Sequence, residues 1–235
     1  MAIPFSVSDF CAWQQLPAGS EAPNHLAGIK LSEQPDVSSI PAMLRRRLNT
    51  LGRAAASQIL TILESGDNPA IVYNSRHGDL TRTLGVLKDL AANDPVSPMN
   101  FSLTVHNAVP GIISIHTGIT ATISSIASGN EGLVPTLLEG IGLLSDDCPK
   151  VICLLCDAPP PAIYRNVANQ PEFAYACCFV LERGNSLQLQ QNSPQQPSTQ
   201  SERAPQAIDF AQFLATEIPT LTVTNNGSKW LIEKK

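Results

Sequence analysis

Ala121 to Leu144 reads ATISSIASGNEGLVPTLLEGIGLL, and its two halves follow different periods. Ala121 to Ile126 is short, rich in β-branched residues and free of charge, the composition of a buried strand. From Leu133 onward, Leu133, Leu137, Leu138, Ile141 and Leu144 recur at helical spacing. Ser128-Gly129 breaks the strand between the two halves. The stretch therefore predicts a strand that turns sharply into a helix. A side chain at such a corner sits beside a helix N-terminus, where enzymes hold a nucleophile or bind an oxyanion. The corner residue here is Ile126, and an aliphatic side chain cannot attack.

The flanking chain alternates apolar strands and helices in the same way. Ala70 to Asn74 reads as a strand. Asp79 reads as the cap of a helix running to about Ala92, with Leu80, Leu84, Leu87, Leu90 and Ala91 inward and Asn93-Asp94-Pro95 as its stop. Met99 to Ala108 predicts a short helix leading to a strand-like Ile112 to Ile115. Val151 to Asp157 and Phe173 to Glu182 predict two more strands, the first broken by Ala158-Pro159-Pro160-Pro161. Upstream, a short strand is expected near Ile3 to Phe10, then a loop from Gln14 to Ser39. A single helix should follow, capped by Ser39, with Pro41 in its first turn and Leu44, Leu48, Leu51, Ala55, Ile59, Ile62 and Leu63 as its buried stripe. A helix after each strand implies an α/β fold with a mostly parallel sheet covered by helices. Ser186 to Gln206, dominated by Gln, Ser and Pro, predicts a disordered linker. A helix over Asp209 to Ala215 and a hairpin turning at Asn225-Asn226-Gly227 should close the chain. The expected organisation is a half-domain over 1–185, a linker over 186–206 and a small ending over 207–235.

Composition narrows the function. The 235 residues carry a net charge of −5, which argues against nucleic acid as the main partner. No run approaches the roughly 18 apolar residues of a membrane span. Met1-Ala2-Ile3-Pro4-Phe5 lacks the basic start and long apolar core of a signal peptide, so a cytoplasmic protein with free thiols is expected. Cys153 and Cys156 have zinc-like spacing, but on a strand residues three apart face opposite sides, so core thiols are expected. No phosphate-binding loop, dinucleotide fingerprint or metal cluster is legible, and no cofactor is expected. Ser128 lies two residues beyond the corner, but Ser125-Ile126-Ala127 does not form a nucleophile elbow, and a helix-capping Ser128 is expected in place of a nucleophile served by His106 or His116.

Ser124-Ser125-Ile126-Ala127-Ser128-Gly129 resembles the nucleophile corner of β-ketoacyl synthases, where the strand ends in Thr-Ala-Cys-x-Ser-Gly and the Cys is acylated. Ile126 takes the Cys place. The resemblance extends upstream to Ser97-Pro98-Met99-Asn100-Phe101, His106-Asn107, Gly111 and Ser114-Ile115, and to Tyr73-Asn74-Ser75-Arg76-His77-Gly78-Asp79-Leu80. It covers roughly Pro69 to Gly184. It implies a thiolase-like half-domain lacking the C-terminal half, which in the family supplies the two His residues, or a His and an Asn, that polarise the thioester and drive decarboxylation. Both nucleophile and partners would then be absent, as in chain-length factors, which pair with a competent synthase.

The resemblance further implies which residues matter. Ile123, Ser124, Ser125 and Ile126 would form an edge strand paired across the partner interface. His77, Met99 and Asn100 fall where the family closes the far end of the partner's acyl pocket; ordinary interface packing also fits them. Arg46 and Arg53, seven apart in the expected helix, could meet an acidic acyl carrier protein, or simply flank a solvated helix. The expected function is a non-catalytic subunit paired with a β-ketoacyl synthase in polyketide or fatty-acid-type biosynthesis, aryl polyene pathways included. The alternatives are a stand-alone acyltransferase or thioesterase with an unrecognised site, and an acyl or carrier-protein binding module.

Overall fold

Lys150–Asp157 (KVICLLCD) is apolar on both alternations and becomes the centre of the sheet, buried from Val151 to Asp157. The computed structural model describes residues 2–20, 26–129, 132–164, 166, 173–191 and 205–235. In chain order its elements are β1 (Ala2–Gln15), β2 (Ile29–Ser32), α1 (Ala42–Arg45), α2 (Thr50–Ile62), β3 (Ala70–Asn74), α3 (Leu80–Ala91), α4 (Pro98–Ser102), α5 (Ala108–Thr117), β4 (Ile123–Ile126), α6 (Leu133–Leu143), β5 (Lys150–Asp157), β6 (Tyr175–Gln191), α7 (Gln206–Ala215), β7 (Thr220–Asn225) and β8 (Ser228–Lys234). The sheet runs β2-β1-β6-β5-β3-β4, with β8 beside the distal part of β6 and β7 outside β8. β4, β3 and β5 are parallel, as expected of strand–helix–strand units, and β1 and β2 are parallel to each other. The long β6 is antiparallel to its neighbours β1, β5 and β8.

Two cores form because β-strand side chains alternate faces. One face buries Val72, Val151, Cys153, Leu155, Cys177, Phe179 and Leu181 under α6 and α7. The other buries Ile71, Tyr73, Ile152, Leu154, Cys156, Cys178 and Val180 under α2 and α5. Cys153 and Cys156 thus lie in different cores, as the strand reading requires, and all six cysteines are free. Gly140 lets α6 press on the sheet: a Cβ there would meet Leu181 Cδ1 at 2.6 Å and Cys153 Sγ at 2.7 Å.

Several boundaries differ from the sequence reading. The first strand reaches Gln15, because Cys11 to Gln14 continue the ladder with β6, and the expected loop after it contains β2. The expected helix from Ser39 to Leu63 is two helices. Asn49 stops it by accepting the Gly52 N–H at 2.7 Å, a local bond Asn prefers to a helix interior. Ile112 to Ile115 is helix, not strand. Pro110 sits in the first turn of α5, where no N–H is missed, and Gly118 ends it. β6 continues to Gln191, since Leu187 and Leu189 alternate with Gln188 and Gln190 against β1 and β8. The first six residues of the expected linker are therefore strand, and 192–204 lie outside the described residues. The hairpin forms as expected, with Asn226 at φ 49° and Gly227 at φ 75°, the left-handed pair a tight two-residue turn requires. Its strands, with α7, join the same core as α6.

Candidate functional site

The corner is built from β3, β4 and α6. β4 pairs with β3 from Ile71↔Ile123 to Asn74↔Ile126, and among the described residues no strand covers its other side. Ile126 packs against the core under α6, and on that same side of the strand Ser124 Oγ donates to Glu139 Oε1 at 2.6 Å. Ile123 and Ser125 line the opposite side, an open cleft of about 450 Å³ shared with His106, Asn107 and Gly111. The Ser125 hydroxyl oxygen is buried with no partner among the described residues. Past the strand, Gly129 turns the chain at φ 71°. Asn74 then fixes the loop to the helix: its Nδ2 donates toward Ser128 Oγ (2.6 Å), Gly132 O (3.0 Å) and Thr136 Oγ1 (2.8 Å). Ser128 therefore does not cap α6 as expected; the helix follows Gly132 with no side-chain cap, and Ser128 is held by Asn74. His106, one of the bases considered for it, is engaged elsewhere through Nε2 (2.6 Å from Ser75 O). The corner has its supporting bonds but ends in an aliphatic side chain.

The turn after β3 hangs on Asp157 at the end of β5. Ser75 Oγ donates to Asp157 Oδ1 (2.9 Å), Arg76 N–H donates to the same carboxylate (3.0 and 3.2 Å), the His77 N–H adds another bond, and Tyr175 O–H reaches Oδ2 at 3.4 Å. Ser75 Oγ in turn accepts the Gly78 N–H at 3.0 Å. Burial pushes the Asp157 carboxyl above the usual carboxylate range, and the bonds from Arg76, Ser75, His77 and Tyr175 oppose that rise. His77, carried on this turn and partly exposed, is held below the usual imidazole value by burial first and the Arg76 charge second. His106 stitches the α4–α5 connection to the same turn, with its ring edge-on to Tyr73 at 5.3 Å. Met99 and Asn100 lie exposed on α4, whose N-cap Ser97 accepts the Asn100 N–H.

The basic residues separate. α1 ends at Arg45 and α2 begins at Thr50, so Arg46 and Arg53 do not share one helical face. Arg46 is exposed. Arg53 donates through Nε and Nη2 to the Arg45 carbonyl (3.2 and 2.9 Å), bracing the end of α1. Arg82 does the same for Arg47 O at 3.0 Å while pairing with Asp79. Asp79 caps α3 as expected, but the stripe on α3 points inward only in its first half: Leu80 and Leu84 are half-buried and Val86 is buried, whereas Leu87 and Leu90 are 49% and 57% exposed, and α3 packs on α4. With Met99, Phe101, Val105 and Ile115 they leave the α3–α5 segment rich in exposed apolar side chains. That exposure was not legible as such, because an amphipathic period tells which side is apolar and not what covers it.

Burial pushes the thiols of Cys153, Cys156, Cys177 and Cys178 up, away from the reactive thiolate. Among the described residues no three His, Cys, Asp or Glu groups gather to hold a metal, and no helix is long and apolar enough to cross a membrane.

Residues 13–232 match the sequence model for the β-ketoacyl synthase N-terminal domain. Over 99% of its length the chain superimposes on 100% of a chain from the structure of a ketosynthase (ApeO) in complex with its chain length factor (ApeC) from Xenorhabdus doucetiae, at 25% identity and TM-score 0.82. Two more distant structures share the fold. One is the complex of a type II polyketide acyl-carrier protein with its ketosynthase bound to the hexaketide (15% identity, 83% of this chain and 70% of that one, TM-score 0.55). The other is the ishigamide ketosynthase/chain length factor (12%, 67% and 52%, TM-score 0.55). A search of curated protein sequences returned no significant match.

Proposed function

The chain belongs to the β-ketoacyl synthase family through its N-terminal domain, and from that premise we propose that it is a non-catalytic subunit of the chain-length-factor kind, pairing with a β-ketoacyl synthase. One observation carries the reading: the strand-to-helix corner that resembles the family's nucleophile corner, turned at Gly129 and held by Asn74, has Ile126 at the end of its strand. The likeness to a chain of a ketosynthase–chain length factor complex supports the choice of partner. The pair serves polyketide assembly of the aryl polyene type in the cytoplasm, receiving chains from an acyl carrier protein. The β4 edge from Ile123 to Ile126 and the apolar α3–α5 segment form the contact with the synthase, because an uncharged open edge and a run of exposed apolar side chains each need a cover. His77, Met99 and Asn100 bear on the far end of the partner's acyl pocket, and Arg46 faces the carrier protein, with Arg53 bracing the end of α1 behind it.

The test is reconstitution. The purified chain, incubated with an acyl carrier thioester and read by intact mass, should take up no acyl group. The same chain should co-purify with the synthase, and Ser124→Lys on the free edge should abolish that. Stoichiometric acylation at one residue would instead establish an acyltransferase or thioesterase. A monomer indifferent to the synthase would remove the pairing.

A further inference from the structure

The end of β3 is a hub that the corner and the turn share. Asn74 and Ser75 are consecutive, so their side chains leave the strand in opposite directions. Asn74 turns toward α6 and holds the loop beyond Ile126. Ser75 turns toward Asp157. Asp157 is the buried carboxylate of the described residues, 8% exposed. Burying a carboxylate is costly unless donors surround it. Its donors are Ser75 O–H, Arg76 N–H, His77 N–H and Tyr175 O–H, and three of these four come from consecutive residues of one turn. Ser75 relays the hold to Gly78 N–H, and its carbonyl takes His106 Nε2. The carboxylate therefore fixes the backbone on both sides of the His77 α-carbon. It does not touch the His77 ring through any of these bonds, so it acts on where the ring stands.

We propose that Asp157 is the positioning residue of the His77 turn, and that by fixing this turn it helps set the length of the chains the pair makes; the second clause rests on the proposed role of His77 at the acyl pocket. Nothing in the sequence marks this. A single acid at the end of an apolar strand reads as the strand's solvent-facing stop, whereas here the strand end lies under a turn that supplies three donors.

The experiment uses Asp157→Asn, equal in size, which loses the charge and turns an amide N–H₂ toward donors. Two readouts are taken on the full chain: amide hydrogen exchange at residues 76–78 in the free protein, and product chain length by mass spectrometry from the reconstituted pair, with His77→Ala as the reference. The expected result is local loss of protection at 76–78, with protection kept elsewhere, and a change in the ratio of adjacent product lengths on the order of tenfold, in the direction His77→Ala gives. Unchanged products from Asp157→Asn, where His77→Ala shifts them, would overturn the inference and leave the pocket reading standing. Unchanged products from His77→Ala would remove the pocket role instead, and exchange then decides alone: retained protection at 76–78 overturns the positioning role as well. Should Asp157→Asn not fold, Ser75→Ala, which keeps the carboxylate and cuts one link, is read in the same two ways.

Discussion

Replacing Leu87 and Leu90 together by glutamate tests whether the exposed side of α3 is an interface. The two residues are three apart and share one side of the helix. Fully burying a leucine side chain contributes about 1.5–3 kcal/mol. Leu87 and Leu90 are 49% and 57% exposed, so roughly half of that contribution remains to be gained at each when a partner covers them. For the pair this comes to about 2 kcal/mol, or about 30-fold in Kd. The glutamates must also be kept hydrated, so the loss should be at least that large. The free chain should hardly notice: glutamate is a good helix former and these are surface positions, within about 0.5 kcal/mol. Titration calorimetry against the synthase measures the first quantity and thermal melting the second. Ile218→Glu is the control, since Ile218 is exposed just before β7, away from the β4 edge. A Kd within about twofold of wild type for the leucine double variant, with the fold intact, would refute the reasoning that this surface is covered in the complex.

Gly140→Ala should destabilise the chain although alanine favours helix: the new Cβ meets Leu181 and Cys153 below 3 Å, and overpacking of about 1–3 kcal/mol outweighs a helix gain of about 1 kcal/mol, lowering Tm by a few degrees. His77 should titrate below 6.5 by NMR; because the unfolded chain then holds the proton more tightly, stability should fall as pH drops through 6.5 and level off below the folded value, and His77→Gln should flatten that limb in urea melts. Ile126→Cys should restore no condensation by the isolated chain in a carrier-thioester assay, because the side chain at 126 packs against the core under α6 and His106 Nε2, in the neighbouring cleft, is engaged with the Ser75 carbonyl.

The central strands were readable because a fully buried strand leaves an unbroken apolar run, as in β3 and β5. The hairpin was readable because Asn226-Gly227 is one of few pairs that accept its backbone. Ile126 was readable because strand, break and helix period fix the corner to one residue. The helix break at Asn49 was missed because the leucine period continues across it, with Leu44 and Leu48 still packed after the axis changes. Gly-Ile-Ile-Ser-Ile fits a strand by composition, and only Pro110 and Gly118 at its ends signal the helix that tertiary packing selects. Asp157 and Asn74 escaped notice because their meaning comes from partners far along the chain, Ser128, Thr136 and Tyr175 among them.

The split of the cysteines between the two sides of the sheet makes the chain its own unfolding reporter. Cys153 and Cys177 lie in one core, Cys156 and Cys178 in the other, while Cys11 and Cys148 are partly exposed. A thiol reagent added to the native protein should therefore label the last two first. Each buried pair becomes reactive only when its own layer of helices lifts. Peptide mapping of label against time would then show whether the α6–α7 layer and the α2–α5 layer open together or in turn, and whether a bound synthase slows one and spares the other.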